Sequence, residues 1–352
     1  MKPHLTAVTG QSNLLILRRL PILITMFANN SSTNSLGVDN STCFLPINYV
    51  AVMISYTITY SILMLASLTG NSLLIYASVK SNIRMGVIIA NMAASDIVFS
   101  IIHFPREIVF QIKHSTAFQV HGWIGHVLCK ICAFVTDVTT AVSTLSLILV
   151  AADRFIAVAF PATYIKITVK KRRFLILSTW ILAMAIYSPY FYTFRLVTFN
   201  GETFCISNWE PAFNHETTHI RYYAALLAVT VLIVPLITVC ILQALILLKL
   251  RSDKLALSRT CLANQRRSER NKKLLKMSVM IALAFTLCWL PFVVYQFLLL
   301  YFPSSMPQCS LSFRIFIQFA LLFPLCHCIV NPCICFKFMR RVRIVLKPGR
   351  KR

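Results

Sequence analysis

The residues of this chain that could do chemistry are the ionisable ones set inside long apolar runs. Asp96 stands in NMAASDIVFS, Asp137 in CAFVTDVTTA, and Asp153 and Arg154 lie side by side in VAADRFIAV. A charge at the centre of a bilayer costs about 2.5 to 3.5 kcal/mol on insertion scales, so such residues must face protein, water or a counter-ion rather than lipid. The chemistry open to them is electrostatic: holding a small cation, meeting a charged ligand, or forming an ion pair that can be broken. No nucleophile, base or metal-ligand set is spaced for catalysis, and no enzyme activity is expected.

Positioning such groups requires membrane-spanning elements, and the composition supplies them. The chain has 352 residues, 57% of them hydrophobic and 13% charged, with a mean hydropathy of +0.72, which excludes a soluble domain. The formal net charge of +25 would suit nucleic acid if it lay on one soluble face. Here seven apolar runs separate the basic residues, so no nucleic-acid partner is expected. The runs fall near 49–78, 84–112, 125–160, 172–195, 219–249, 270–301 and 309–334, each long enough to cross as a helix. The stretch from Cys129 to Arg154 alone would reach roughly 37 Å as a helix, so it must tilt in a ~30 Å hydrocarbon core.

Four segments, 79–84, 161–173, 249–276 and 336–352, hold 25 of the 35 Lys and Arg residues and are therefore assigned to the cytoplasmic side. The N-terminus is then outside, and the sequons that open at Asn29, Asn30 and Asn40 become usable for glycosylation. The apolar run 14–27 is broken by Arg18, Arg19 and Pro21 and makes a poor span and a poor signal peptide; since Met26 to Cys43 alone reads as a short polar ectodomain, both Met1 and Met26 stand as candidate starts. The expected architecture is an all-α integral membrane protein. It comprises an extracellular segment over 1–48, a seven-helix bundle over 49–334, and an amphipathic helix with a short basic tail over 335–352 that lies against anionic lipid. Four cysteines fall on the outer side, Cys43, Cys129, Cys205 and Cys309, and four allow three pairings.

The motifs then narrow the class. Gly70-Asn71, the Asp96 run, Asp153-Arg154-Phe155, Trp180, Pro189, Pro235, FTLCWLPF (285–292) with Trp289 and Pro291, and Asn331-Pro332 occur in this order at compatible spacings. Together they resemble the rhodopsin-like (class A) G-protein-coupled receptors, and within them the neuropeptide receptors. A transporter is the alternative from another class, but no internal repeat supports one.

The resemblance implies several further assignments. It pairs Cys129 with Cys205, and as in several peptide receptors Cys43 with Cys309. It makes Asp153, Arg154, Phe155, Trp289, Pro291, Asn331 and Pro332 the residues of activation and G-protein coupling, with helix 6 hinging at Pro291. It makes Asp96, Ser143, Asn71 and Asn331 a resting-state sodium site, alongside which His327 and Cys328 lie. It places Glu107, Thr136, Asp137, Trp289, Phe292, Gln296 and Leu321 in a ligand pocket open to the outside. The protein is then a multi-pass plasma-membrane receptor with no obligate cofactor, partnered by an extracellular ligand, a heterotrimeric G protein and membrane lipids.

A basic neuropeptide is the expected ligand, because Asp137, Glu107, Glu202 and Glu210 give the mouth an acidic character. Arg106 and Glu107 can equally pair with each other. Aminergic receptors need an aspartate where this chain has Thr136, and opsins a lysine in helix 7, where none lies between Arg314 and Lys337. A lipid is the alternative ligand. Three residues depart from the family pattern: Cys335 and Gln243 replace tyrosines, and Asn271 replaces the acid at the start of helix 6. Arg154 should then be restrained mainly by Asp153, and appreciable ligand-independent signalling follows. Since Phe336 to Arg352 holds no Ser or Thr, arrestin is expected to be recruited through Ser252, Ser258, Thr260 and Ser268 of the third inner loop.

Overall fold

A computed structural model of the chain describes residues 49–81, 85–113, 115–199, 201–208, 223–256, 262–302, 306–307, 310–339 and 344–345. The sequons, Met26, Cys43, Glu210, Cys309, Ser258 and Thr260 lie outside the described residues.

Among the described residues, seven helices are long and apolar enough to cross a membrane. We label them α1 (Tyr49–Lys80), α2 (Gly86–Lys113), α3 (Gly122–Ala159), α4 (Val169–Tyr187), α5 (Val234–Ala256), α6 (Leu262–Tyr301) and α7 (Leu311–Leu322, resumed at His327–Phe338). Each contains a stretch that is apolar all round, as a helix facing lipid on one side and protein on the other requires. The hydrocarbon-facing side of α1 is a stripe of Ile54, Ile58, Ile62 and Leu65, all exposed. In the most apolar stretch of α3, 56% of residues are buried, against 11% for α1, so α3 is the central post of the bundle. It touches α2, α4, α5 and α6, and α7 closes the ring against α6 and α1.

Prolines set the irregular turns. Pro235 cannot donate to the carbonyl four residues back, and a π-turn (Ala228–Ile233) precedes it in the run that leads into α5. Pro324 sits in a 3₁₀ turn (Phe323–Cys326) that interrupts α7. The last helix runs to Phe338, beyond the expected end at 334. Of the expected amphipathic helix beyond it, only Met339 and the helical pair 344–345 are described.

Between α4 and α5 the chain forms a hairpin, β1 (Phe194–Phe199) and β2 (Glu202–Ser207), that pairs Leu196 with Cys205. The β-rich run FRLVTF and the Asn-Gly pair at 200–201 are its local cause. Gly201 takes the positive φ the turn needs. A disulfide joins Cys205 to Cys129 near the start of α3. Gly125 there has the backbone carbonyl of Val120 only 2.2 Å from where a Cβ would stand, so no other residue fits without moving the chain.

Candidate functional site

Three polar clusters lie along α3, at its outer third, its middle and its inner end. At the outer third, Asp137 accepts a hydrogen bond of 2.6 Å from the Tyr190 hydroxyl, just beyond α4. Tyr187 and Tyr223 pack on the Tyr190 ring, and Tyr223 donates to the Ile186 carbonyl at 3.0 Å. The carboxylate is thus rimmed by three tyrosines on the α4 and α5 side. Thr136, one position earlier, is buried and donates to the Cys132 carbonyl. On α2, Glu107 pairs with Arg106 at 3.1 Å, so the two neighbours engage each other. Phe292, Gln296 and Leu321 are half-buried on the outer parts of α6 and α7, and Leu321 packs on the cluster of Tyr295, Leu299, Ile317 and Ala320.

In the middle, Asp96 and His327 are each 1% exposed. Asn331 donates to Asp96 Oδ2 at 3.1 Å, and His327 Nε2 lies 3.7 Å from Asp96 Oδ1. Asn71 donates to the carbonyl of Cys328 at 2.7 Å and so ties α1 to α7. Four buried polar atoms here lack a hydrogen-bond partner among the described residues: Asp96 Oδ1, Asn71 Oδ1, Ser143 Oγ and His327 Nε2. Pro324 O can only accept, so the His327 Nδ1 beside it carries a proton. Asp96 Oδ1, the Asn71 amide oxygen and the Ser143 hydroxyl oxygen, each without a hydrogen-bond partner among the described residues, form an oxygen set that fits a small hard cation such as Na⁺.

Above this cluster the Trp289 ring stacks on Phe285, meets Phe292 edge-on and lies 5.9 Å from His327. The imidazole therefore bridges the aromatic floor of the outer half to Asp96. About one and a half helix turns from Asp96, Asn91 joins three helices: it donates to Ser146 on α3 at 3.0 Å and accepts from Trp180 on α4 at 2.9 Å.

At the inner end, Asp153 and Arg154 form the expected pair. Arg154 is not restrained by Asp153 alone, however. It also donates to the Tyr164 hydroxyl at 3.0 Å, and Asp153 is gripped from α4 by Arg172. Gln243 on α5 donates to Ser278 on α6, both buried, at the place where a tyrosine was expected. Cys335 is fully buried in the core cluster with Met92 and Val150. Tyr190, Tyr164, Arg172 and Ser278 escaped the sequence reading, because their types are common and only the packing selects them; Asn91 was visible there as the first residue of the Asp96 run, without these partners.

These three clusters on one central helix agree with what the chain is similar to. The family model for the 7 transmembrane receptor (rhodopsin family) matches residues 70–334. Neuropeptide FF receptor 2 of Mus musculus is 28% identical over 306 residues, covering 81% of this chain and 69% of that protein. Neuropeptide receptor 22 of Caenorhabditis elegans is 26% identical over 289 residues, with 79% and 65% covered. Neuropeptide Y receptor type 6 of Mus musculus is 22% identical over 326 residues, with 87% and 81% covered. With its seven spans, its central α3 and a family match over most of its length, the chain belongs to the rhodopsin family of seven-transmembrane receptors and is a G-protein-coupled receptor, not an enzyme.

Proposed function

We propose that this receptor is activated at the plasma membrane, N-terminus outside, by a peptide carrying a basic group, and that Asp137 receives that group. The observation that carries the reading is the position of Asp137. It is a half-buried carboxylate in the outer third of α3, held by Tyr190 and bordered by aromatic rings that favour a cation. The names of the relatives support a peptide, and the acidic Glu202 on β2 adds to the attraction for a basic one.

Binding shifts a population between two packings of the same bundle. A ligand held by Asp137 that presses on Trp289 favours the arrangement in which α6 hinges at Pro291, whose missing N–H leaves the Leu287 carbonyl without its helical partner. The inner end of α6 then leaves α3, and Arg154 becomes available to a G protein. In the resting packing, Asp96, Ser143, Asn71 and Asn331 would hold Na⁺, which supplies a compensating positive charge. Arrestin is met through the third inner loop, and the basic inner segments lie against anionic lipid.

The test is a calcium-release screen of amidated basic peptides beside lipids, in cells expressing the receptor with a promiscuous G protein. A peptide response that is lost in Asp137→Ala and in Trp289→Ala is expected. A response to lipids alone, or a basic-peptide response indifferent to Asp137→Lys, would sink the reading.

A further inference from the structure

Two arginines share one carboxylate at the inner end of α3. Arg172 is only 3% exposed, although it belongs to the basic run 170–173. Its Nε and Nη2 donate to Asp153 Oδ1 at 3.2 and 3.1 Å, and its Nη1 donates to the Ile167 carbonyl at 2.9 Å. Asp153 Oδ2 accepts from Arg154 and, at 3.3 Å, from the Tyr164 hydroxyl. The Tyr164 ring lies 5.2 Å from the Arg172 guanidinium.

Guanidinium groups stay charged when buried, so this cluster holds two positive charges and one negative. Arg172 lowers the hold on Arg154 in two ways: it satisfies Asp153, and it repels Arg154 across a poorly screened space. At the position of helix 6 where the family pattern has an acid to supply a second restraint, Asn271 is found. The hydroxyl of Tyr164 works the other way, since it accepts directly from Arg154.

We propose that Arg172 is a positioning residue for activation. By clamping Asp153 from α4 it loosens the Asp153–Arg154 pair, while Tyr164 tightens it, so the resting restraint on Arg154 is set by α4 and the α3–α4 turn. The inference rests on the receptor's coupling to G proteins and is independent of the ligand.

The experiment measures basal guanine-nucleotide exchange, per receptor, on purified heterotrimers of each class, with full-length receptor in lipid nanodiscs. Tyr164→Phe raises exchange. Arg172→Gln lowers it by about threefold, both alone and in the Tyr164→Phe background, where the raised signal leaves room to fall. Arg172→Lys, which keeps a point charge but loses the fork, falls between. In Asp153→Asn, Arg172→Gln has a smaller effect, because the carboxylate they compete for is gone and only the repulsion between the two guanidiniums remains. Thermal unfolding of each purified variant separates a lost fold from a lowered signal.

A rise on Arg172→Gln, or no change in the Tyr164→Phe background, overturns the proposal and makes Arg172 a support that orients Asp153 for Arg154. Absence of exchange in every variant, Asp153→Asn included, would instead remove the coupling on which it rests.

Discussion

The bond between Gln243 and Ser278 gives a prediction that separates two roles for a residue where the family has tyrosine. Gln243 on α5 donates to the Ser278 hydroxyl on α6, and both side chains are buried. If α6 leaves the bundle on activation, this clip must open, so it belongs to the resting packing. An interhelical hydrogen bond in a membrane is worth ~0.6 kcal/mol on average and ~1.7 at most. With about 1.4 kcal/mol per tenfold, removing it multiplies the ratio of active to resting receptor by roughly 3, with a ceiling of roughly 16. Ser278→Ala should lie above the average, because it leaves the Gln243 amide unpaired in the resting state alone. Gln243→Leu should raise the ratio by about 3, since the freed Ser278 hydroxyl can turn to a carbonyl of its own helix. Basal nucleotide exchange in membranes, scaled to receptor number, reads both. Should Gln243→Leu lower basal exchange while Ser278→Ala leaves it unchanged, the clip would be a latch of the active packing, and the reasoning would be refuted.

Three further outcomes follow from other clusters. Replacing choline chloride by sodium chloride should raise the unfolding temperature of the purified receptor, and Asp96→Asn should abolish that rise; an equal rise in the variant would place the ion elsewhere. Asn91→Ala breaks two interhelical hydrogen bonds and orphans the Trp180 N–H, so a loss of ~2 kcal/mol is expected, against less than half of that for Trp180→Phe; equal losses in denaturant titration would contradict it. Gly125→Ala forces a Cβ onto the Val120 carbonyl at the start of α3, and surface expression with an intact Cys129–Cys205 bond should fall several-fold; unchanged expression would show that the turn can yield.

What could be read in the sequence, and what could not, differs by physical cause. The seven spans and the residues of the middle cluster were legible because a bilayer admits few polar groups, so each isolated Asp or Asn inside an apolar run stands out. The hairpin after α4 was passed over because a strand pair of six residues a side lies inside what reads as a loop between spans. Tyr190 was hidden by a break in the helix: α4 ends at Tyr187, Pro189 turns the chain, and the turn Tyr190–Thr193 that follows no longer keeps the phase from which an inward position could be counted.

Arg172 is the more instructive case. In a count of basic residues it is one of the charges that fix the cytoplasmic side, indistinguishable from Lys170, Lys171 and Arg173. Helical phase distinguishes it. Thr179, Ala183 and Tyr187 are the other buried residues of α4, and at seven, eleven and fifteen positions from Arg172 they define one stripe that Arg172 continues toward the cytoplasm. Because that stripe faces α3, the residue at its cytoplasmic end must meet whatever α3 presents there, which is Asp153. The basic segments of this receptor therefore do two things that a charge count merges. Most of their residues orient the chain in the membrane. One, selected by the turn of its helix, enters the bundle and shares the carboxylate on which the resting state of Arg154 depends.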